Sequence, residues 1–210
     1  MELYFSPLAC SLATRIAFYE AGYEATYRQV DTKRKRLQDG TDFYEVNPLG
    51  QVPVLRTDDG ELLFENAAIL PYVADRFPSA NLAPSGGLER ARLHQWLGFI
   101  GTELHKAVFV PVLDPSANED VKRYAREDIP LRMQRLQTHL ATREWLLDAF
   151  SVADIYLAVV LNWARYCEVD LSPWPAVLAF FKRMSLRPAT ARAFAEEFEL
   201  YGLELKRANT

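Results

Sequence analysis

Cysteine is the scarcest chemistry in this chain, with only 2 in 210 residues. They stand far apart, at positions 10 and 167, and no C-x-x-C pair occurs. That spacing excludes a disulfide framework and makes a reducing, cytoplasmic setting the expectation. Long apolar runs are also lacking. The longest candidate, residues 155–161, falls well short of the roughly 18 residues a membrane span needs and has the length of a buried helix. The opening MELYFSP has neither a basic segment nor an apolar one behind it, so no export signal is expected. No charge of one sign dominates. Lys and Arg number 24 against 28 Asp and Glu, a net charge of -4 with a pI near 5.5. That balance argues against broad nucleic-acid binding and leaves only a local basic patch open. Histidines number just 3. Repeats and low-complexity tracts are absent.

What is there suits a globular protein of one large or two small domains: 50% of residues are hydrophobic and 25% charged. Residues 3–5 predict a first strand. Residues 11–21 carry Leu12, Ala13, Ile16, Ala17 and Ala21 at helical spacing, with Gly22 as the stop. Residues 25–30 predict a second strand, and the polar, basic stretch 33–46 a loose helix. Residues 52–55 and 61–64 flank Asp58-Asp59-Gly60, a hairpin signal. Residues 66–77 follow as a helix. The order predicts a mixed sheet with helices on its faces.

Residues 79–87, rich in Pro, Gly and Ser, predict a linker between a first domain at 1–78 and a second at 88–210. The second reads as all-helical, with helices over 88–113, 119–141, 152–168, 174–186 and 189–203. Ser151-Val-Ala-Asp154 is a capping box at the start of one of them.

Five features are candidates for chemistry. Cys10 sits at a strand-to-helix turn, where a helix N-terminus favours a thiolate; the competing reading is a small buried residue. Pro53 opens a strand, where proline is confined to first or edge positions. A cis Val52-Pro53 bond would turn the Val52 backbone outward, able to capture an extended peptide. Asn66 reads as an N-cap with an anion-attracting helix start behind it, and Glu65 beside it suits an ammonium. Together the two fit an amino-acid zwitterion, or simply a helix cap with a surface glutamate. Lys33-Arg-Lys-Arg36 is a solvated face, a nucleic-acid patch or a carboxylate binder. His105, followed by Lys106, reads as structural or as a donor. Pro71 lies inside a predicted helix and has no functional reading.

In combination these pieces resemble the cytosolic glutathione S-transferases, and most of all their bacterial beta class. The residues that carry the resemblance are PLACSLATRIAFYEAG at 7–22, NPLGQVPVL at 47–55, ENAAILPYVADRFP at 65–78, TELHKAVF at 102–109 and FSVADIYL at 150–157. They span essentially the whole chain. The resemblance implies an α/β thioredoxin-like N-terminal domain, an all-α C-terminal domain and a homodimer that binds glutathione as substrate, with no metal. Cys10 matches the beta-class cysteine near the glutathione sulfur. Val52, ahead of Pro53, matches the residue whose backbone pairs with the tripeptide, with Gln51 beside it. Glu65 and Asn66 match the pair holding the γ-glutamyl end. Lys35 matches a lysine for the glycine carboxylate. His105 and Lys106 match residues near the sulfur, and Glu103 one reaching the γ-glutamyl ammonium across the dimer. Leu8, Phe109 and Trp163 stand as the apolar wall for an electrophile. The pattern is broken at Asn66, where the family has Ser or Gly; at Leu8, which replaces a common Gly; and at Gly98, which replaces a frequent Asn.

The activity this implies is conjugation of the glutathione thiol to small hydrophobic electrophiles, a cytoplasmic detoxification chemistry. Two alternatives remain at this point: a glutathione-dependent thiol-disulfide reductase using Cys10 through a mixed disulfide, and a non-catalytic glutathione-binding regulator.

Overall fold

A computed structural model describes residues 1–208. It divides into two compact units, one of residues 1–80 with the chain after Leu186, the other of residues 81–186.

The first unit is built on a five-stranded sheet. Strand β1 (Glu2–Phe5) is central, with β2 (Thr26–Asp31) parallel to it on one side and β4 (Val54–Arg56) antiparallel on the other. Strand β3 (Arg36–Leu37) pairs antiparallel with β2, and β5 (Leu62–Phe64) with β4, giving the order β3-β2-β1-β4-β5. Leu3, Tyr4 and Phe5 are all buried, as a strand covered on both faces requires. Helix α1 (Leu12–Glu20) makes the crossover from β1 to β2. It ends in a Schellman motif: Tyr23 N–H donates to the Phe18 carbonyl at 2.9 Å and Gly22 N–H to the Tyr19 carbonyl at 3.1 Å. Gly22 takes the left-handed φ of +68° that this motif requires, as the sequence predicts. The hairpin at 58–60 also forms, with Gly60 at φ +87°.

The expected loose helix over 33–46 does not form. That stretch holds β3 and a short 3₁₀ turn at Phe43–Glu45, capped by Asp42. Leu37 and Phe43 are drawn into a cluster with Tyr4, Val30 and Val54, a pattern no helical face would satisfy. Lys35 at φ +57° and Gly40 at φ +89° interrupt any helix.

Helix α2 (Asn66–Arg76) contains the buried Pro71 without breaking. The last helix of the chain, α9 (Pro188–Ala208), is anticipated in position but not in company. The sequence assigns it to the region after the linker; in the structure it packs on α1 and is part of the first unit. Charge pairing explains this: Arg187 forks onto Glu20 at 2.7 and 2.8 Å, Arg192 meets Glu24 at 2.9 Å, and Arg15 reaches Glu196 at 3.1 Å.

The regular structure of the second unit is all helical. The expected helix over 88–113 runs as α3 (Gly87–Phe99), a π-helical stretch at Ile100–Phe109 and α4 (Val110–Leu113). The expected helix over 119–141 divides into α5 (Glu119–Glu127) and α6 (Ile129–Leu140). Pro130, which cannot donate a helical bond, stands at the restart. Helix α7 (Val152–Asn162) is buried along its whole length, and the capping box at Ser151 and Asp154 forms as predicted. The expected continuation to 168 tightens into a 3₁₀ turn at Trp163–Tyr166, so Cys167 lies past the helix end rather than inside the helix. Its buried thiol donates to the Trp163 carbonyl at 3.3 Å. Helix α8 (Pro175–Ser185) completes the unit.

Candidate functional site

In the first unit three segments converge on Cys10. The turn from Ser6 to Ser11 leaves β1 and delivers the chain into α1. Cys10 is 8% exposed and its thiol donates to the Val52 carbonyl at 3.3 Å. The bond between Val52 and Pro53 is cis. The third segment is the start of α2: Asn66 Nδ2 donates to the Cys10 carbonyl at 2.9 Å, and the Thr14 hydroxyl reaches Asn66 Oδ1 at 3.4 Å.

Two expectations about this turn need correction. The helix begins at Leu12, and Ser11 in the cap position turns its hydroxyl back to the Ser6 carbonyl at 3.3 Å instead of capping α1. The N–H groups at the helix start are also occupied. Leu12 donates to Ala9, Ala13 to Cys10 and Thr14 to Ser11, at 3.0 to 3.2 Å. The consecutive tight turns use up the amides that an open helix start would leave for a thiolate.

Asn66 is likewise not the N-cap. It is the first residue of α2, 3% exposed, and its amide fastens α2 to the Cys10 turn. The cap position belongs to Glu65, an exposed residue at φ +65°, ψ +129°. A non-glycine residue held there stores backbone strain of about 1–3 kcal/mol. The carboxylate is thereby presented beside the first turn of α2, whose leading N–H groups point out of the helix end.

The segment before Val52 is shaped by Asn47, which sequence reasoning left unassigned. Asn47 is buried; its Nδ2 donates to the Gln51 carbonyl at 2.7 Å and its Oδ1 accepts from Leu49 N–H at 3.1 Å. An Asx turn of this kind is foreshadowed by the Asn-Pro pair in NPLG. Gln51 is exposed. Lys35 comes across from the other side, its Nζ donating to the Gly50 carbonyl at 2.9 Å. Lys35, Gln51, Val52, Pro53, Glu65, Asn66 and Cys10 thus all lie in one unit, and Cys10 contacts both Val52 and Asn66. Leu8 is buried at φ +60°, and its N–H donates to Glu197 Oε2 at 2.7 Å. Glu197 has no sequence signal beyond its place in an amphipathic helix.

In the second unit His105 lies in the π-helical stretch, a distortion that widens the turn and re-aims side chains. Its Nδ1 is 2.8 Å from the Tyr156 hydroxyl and its ring meets Trp163 edge to face, with centroids 4.8 Å apart. Phe109 packs edge to face on the same Trp163 at 6.1 Å. Burial, followed by the charge of Lys106, pushes the His105 pKa down to about 4, so the ring is neutral at pH 7. Lys106 is exposed. Glu103 pairs with Arg132 at 2.9 Å. Phe109 is fully buried and Trp163 nearly so. Tyr156, the partner of His105, was not anticipated; it is one buried residue among eleven in α7. His139, on α6, is partly buried and its Nε2 lies 2.9 Å from the Leu146 carbonyl. Among the described residues no group of three or more His, Cys, Asp and Glu could hold a metal ion, and no helix is long and apolar enough to cross a membrane.

Comparison with known proteins matches two family models: glutathione S-transferase, N-terminal domain, over residues 9–76, and glutathione S-transferase, C-terminal domain, over residues 100–188. Glutathione S-transferase GstA of Escherichia coli O157:H7 is 39% identical over 199 residues, covering 94% of this chain and 98% of that protein. A sphingomonad glutathione S-transferase, solved in complex with glutathione, is 43% identical with a TM-score of 0.90, covering 94% of this chain and 98% of that one. The beta-class glutathione S-transferase of Sphingomonas chungbukensis is 42% identical at the same TM-score of 0.90 and the same coverage of 94% and 98%. Both family matches end before Glu197.

Proposed function

The chain belongs to the glutathione S-transferase family and is a glutathione transferase, and on that premise we propose that it conjugates the glutathione thiol to small hydrophobic electrophiles, with Cys10 beside the reacting sulfur. The observation that carries the proposal is the contact between the Cys10 thiol and the Val52 carbonyl, at 3.3 Å next to cis-Pro53. A peptide laid along Val52 by backbone pairing would bring its central residue to Cys10.

The ligand's remaining groups find complementary chemistry in the same unit. The exposed Glu65 carboxylate suits the γ-glutamyl ammonium, and the leading N–H groups of α2 suit the adjoining carboxylate. Lys35 suits the glycine carboxylate. Asn66 then serves as the tie between that helix start and the Cys10 turn, through its bond to the Cys10 carbonyl. Gln51 contributes through its backbone, which Asn47 fixes.

On the resemblance alone, His105 and Lys106 are assigned to the glutathione sulfur and Glu103 to the γ-glutamyl ammonium of a partner protomer in a homodimer. Leu8, Phe109 and Trp163 are assigned to the electrophile. A cytoplasmic detoxification role is part of the same reading.

In the reaction the glutathione thiol gives up its proton, its sulfur forms a bond to an electrophilic carbon, and the leaving group departs with the bonding pair. With chlorodinitrobenzene a C–S bond replaces the C–Cl bond, and chloride and a proton are released. Absence of a C-x-x-C pair leaves a reductase only a monothiol route.

Substitution of Cys10 by Ala tests the proposal, read on chlorodinitrobenzene and on a mixed disulfide of glutathione. The transferase reading expects conjugation by the wild-type protein, falling at least fivefold in Cys10→Ala. Conjugation unchanged in the variant, with disulfide reduction abolished, would make Cys10 a redox nucleophile and overturn it.

A further inference from the structure

We propose that Tyr156 is a positioning residue for His105: its hydroxyl donates to His105 Nδ1 and keeps the ring's proton on Nε2, so that His105 works as a hydrogen-bond donor and not as a base. The assignment concerns the second unit alone. Its consequence for catalysis rests on the transferase reading, in which His105 serves the glutathione sulfur.

Two elements bring the pair together. Helix α7, buried along its whole length, supplies Tyr156, and it packs on the π-helical stretch that carries His105. A phenol hydroxyl buried among apolar side chains is kept where a partner offsets its desolvation. His105 Nδ1 is such a partner, at 2.8 Å. A phenylalanine would fill the same place in α7 without that cost, so the hydroxyl is matched to a polar neighbour. The π geometry falls on His105 itself: its carbonyl accepts from Val110 N–H, five residues on. Such stretches have poorer hydrogen bonding than an α-helix and collect where a side chain has to be aimed. Gly101, four residues before His105, has no side chain, and a Cβ built there would stand 3.8 Å from Tyr156 Oη.

The plane of the imidazole is set by its aromatic neighbours. The Tyr156 ring stands at 87° to it and the Trp163 ring at 65°. Neither ring face distinguishes the two nitrogens; the Tyr156 hydroxyl does. The direction of its bond follows from the chemistry of the partners. His105 is neutral at pH 7, so one ring nitrogen carries a proton and the other a bare lone pair. A phenol is a strong donor and a weak acceptor, because its oxygen lone pair is drawn into the ring. A bare imidazole nitrogen is a strong acceptor. The bond therefore runs from the Tyr156 O–H to Nδ1, and the proton stays on Nε2. Nε2 already holds a proton and cannot accept one from a thiol; it offers an N–H instead. A donor directed at a sulfur favours the thiolate over the thiol, so its loss is felt in turnover more than in ligand binding.

The test reads tautomer and turnover separately. Protein carrying 15N-labelled histidine is measured by long-range 1H–15N correlation at pH 7. The His105 signals are identified, among those of the 3 histidines, by their loss in His105→Gln. The wild-type ring is expected in one tautomer, protonated at Nε2. Tyr156→Phe keeps the ring of residue 156 and removes only its hydroxyl. It is expected to let the two tautomers exchange, with the Nδ1 signal moving toward the protonated position. In conjugation of chlorodinitrobenzene the same variant is expected to lower kcat about fivefold, with KM for glutathione within about twofold of wild type. A wild-type ring protonated at Nδ1 would overturn the proposal, and that result needs no variant to fold. So would an unchanged tautomer in Tyr156→Phe. A shifted tautomer with kcat unchanged would also overturn it, by making the pair a structural contact only. The tautomer responding as expected in a protein without measurable conjugation would leave the assignment of Tyr156 standing and remove the transferase reading instead.

Discussion

Lys35 Nζ donates to the carbonyl of Gly50 at 2.9 Å, joining the β2–β3 region to the segment that leads into Val52. Gly50 is at φ +58°, and a Cβ added there would come within 2.9 Å of both Lys35 Cδ and Tyr44 Cε1. The Gly50→Ala variant therefore has to move the lysine and adopt a conformation costing about 1–2 kcal/mol. Under the proposed reading Lys35 holds the glycine carboxylate equally in ground and transition states. Steady-state kinetics should then show KM for glutathione raised about tenfold with kcat little changed.

His105 supplies a pH prediction. Its pKa is pushed down from 6.5 to about 4, chiefly by burial. The unfolded chain binds a proton at this position below pH 6.5 while the folded one stays neutral. The stability that neutral His105 contributes is present above pH 6.5 and is lost as pH falls toward 4. Compared with His105→Gln, the wild-type protein should lose about 1–3 kcal/mol of stability between pH 7 and pH 4. Denaturant unfolding at the two pH values checks this.

Glu197 is expected to act in the opposite sense. Burial, partly offset by Arg15 and the Leu8 N–H, raises its pKa from 4.5 to about 8. The charged groups bearing on it are Arg15 from α1 and Glu196 and Glu204 from α9. The folded state holds this proton more tightly, so the contribution is full below pH 4.5 and fades as pH rises through 8. The Glu197→Gln variant, which cannot ionise, should gain stability relative to wild type when thermal unfolding is compared at pH 9 and pH 5.

The Asp154 carboxylate closes the start of α7. It accepts from Leu146 N–H at 2.8 Å, Ser151 N–H at 2.9 Å and the Ser151 hydroxyl at 3.0 Å, while wholly buried. Asp154→Ala leaves those donors unpaired. A loss of about 2–4 kcal/mol is expected, seen as a lower midpoint in thermal unfolding, with KM for glutathione unchanged.

Local chemistry made much of this legible in advance. Gly22, Asp58-Asp59-Gly60 and Ser151…Asp154 act through neighbours in sequence, and each forms the predicted stop, turn or cap. Cys10 and the Val52-Pro53 pair were also recognisable, because a thiol at a strand end and a proline opening a strand are unusual on their own. What escaped depends on partners far along the chain. Asn66 looked like a cap because nothing local shows that its amide is claimed by the Cys10 carbonyl. The stretch at 33–46 looked helical because the pull of Leu37 and Phe43 toward Tyr4, Val30 and Val54 is a tertiary effect. The attachment of α9 to α1 rests on Arg187, Arg192 and Arg15 meeting acids across more than 160 residues, which one helical pattern cannot announce.

The central claim is that glutathione lies along Val52 with its sulfur at Cys10. A crystal structure of the protein with glutathione tests it most directly. The account predicts the cysteinyl backbone hydrogen-bonded to Val52, the sulfur in contact with Cys10 Sγ, the γ-glutamyl end at Glu65 and the glycine carboxylate at Lys35. Glutathione bound elsewhere, or with its sulfur out of reach of Cys10 and its backbone away from Val52, would contradict it.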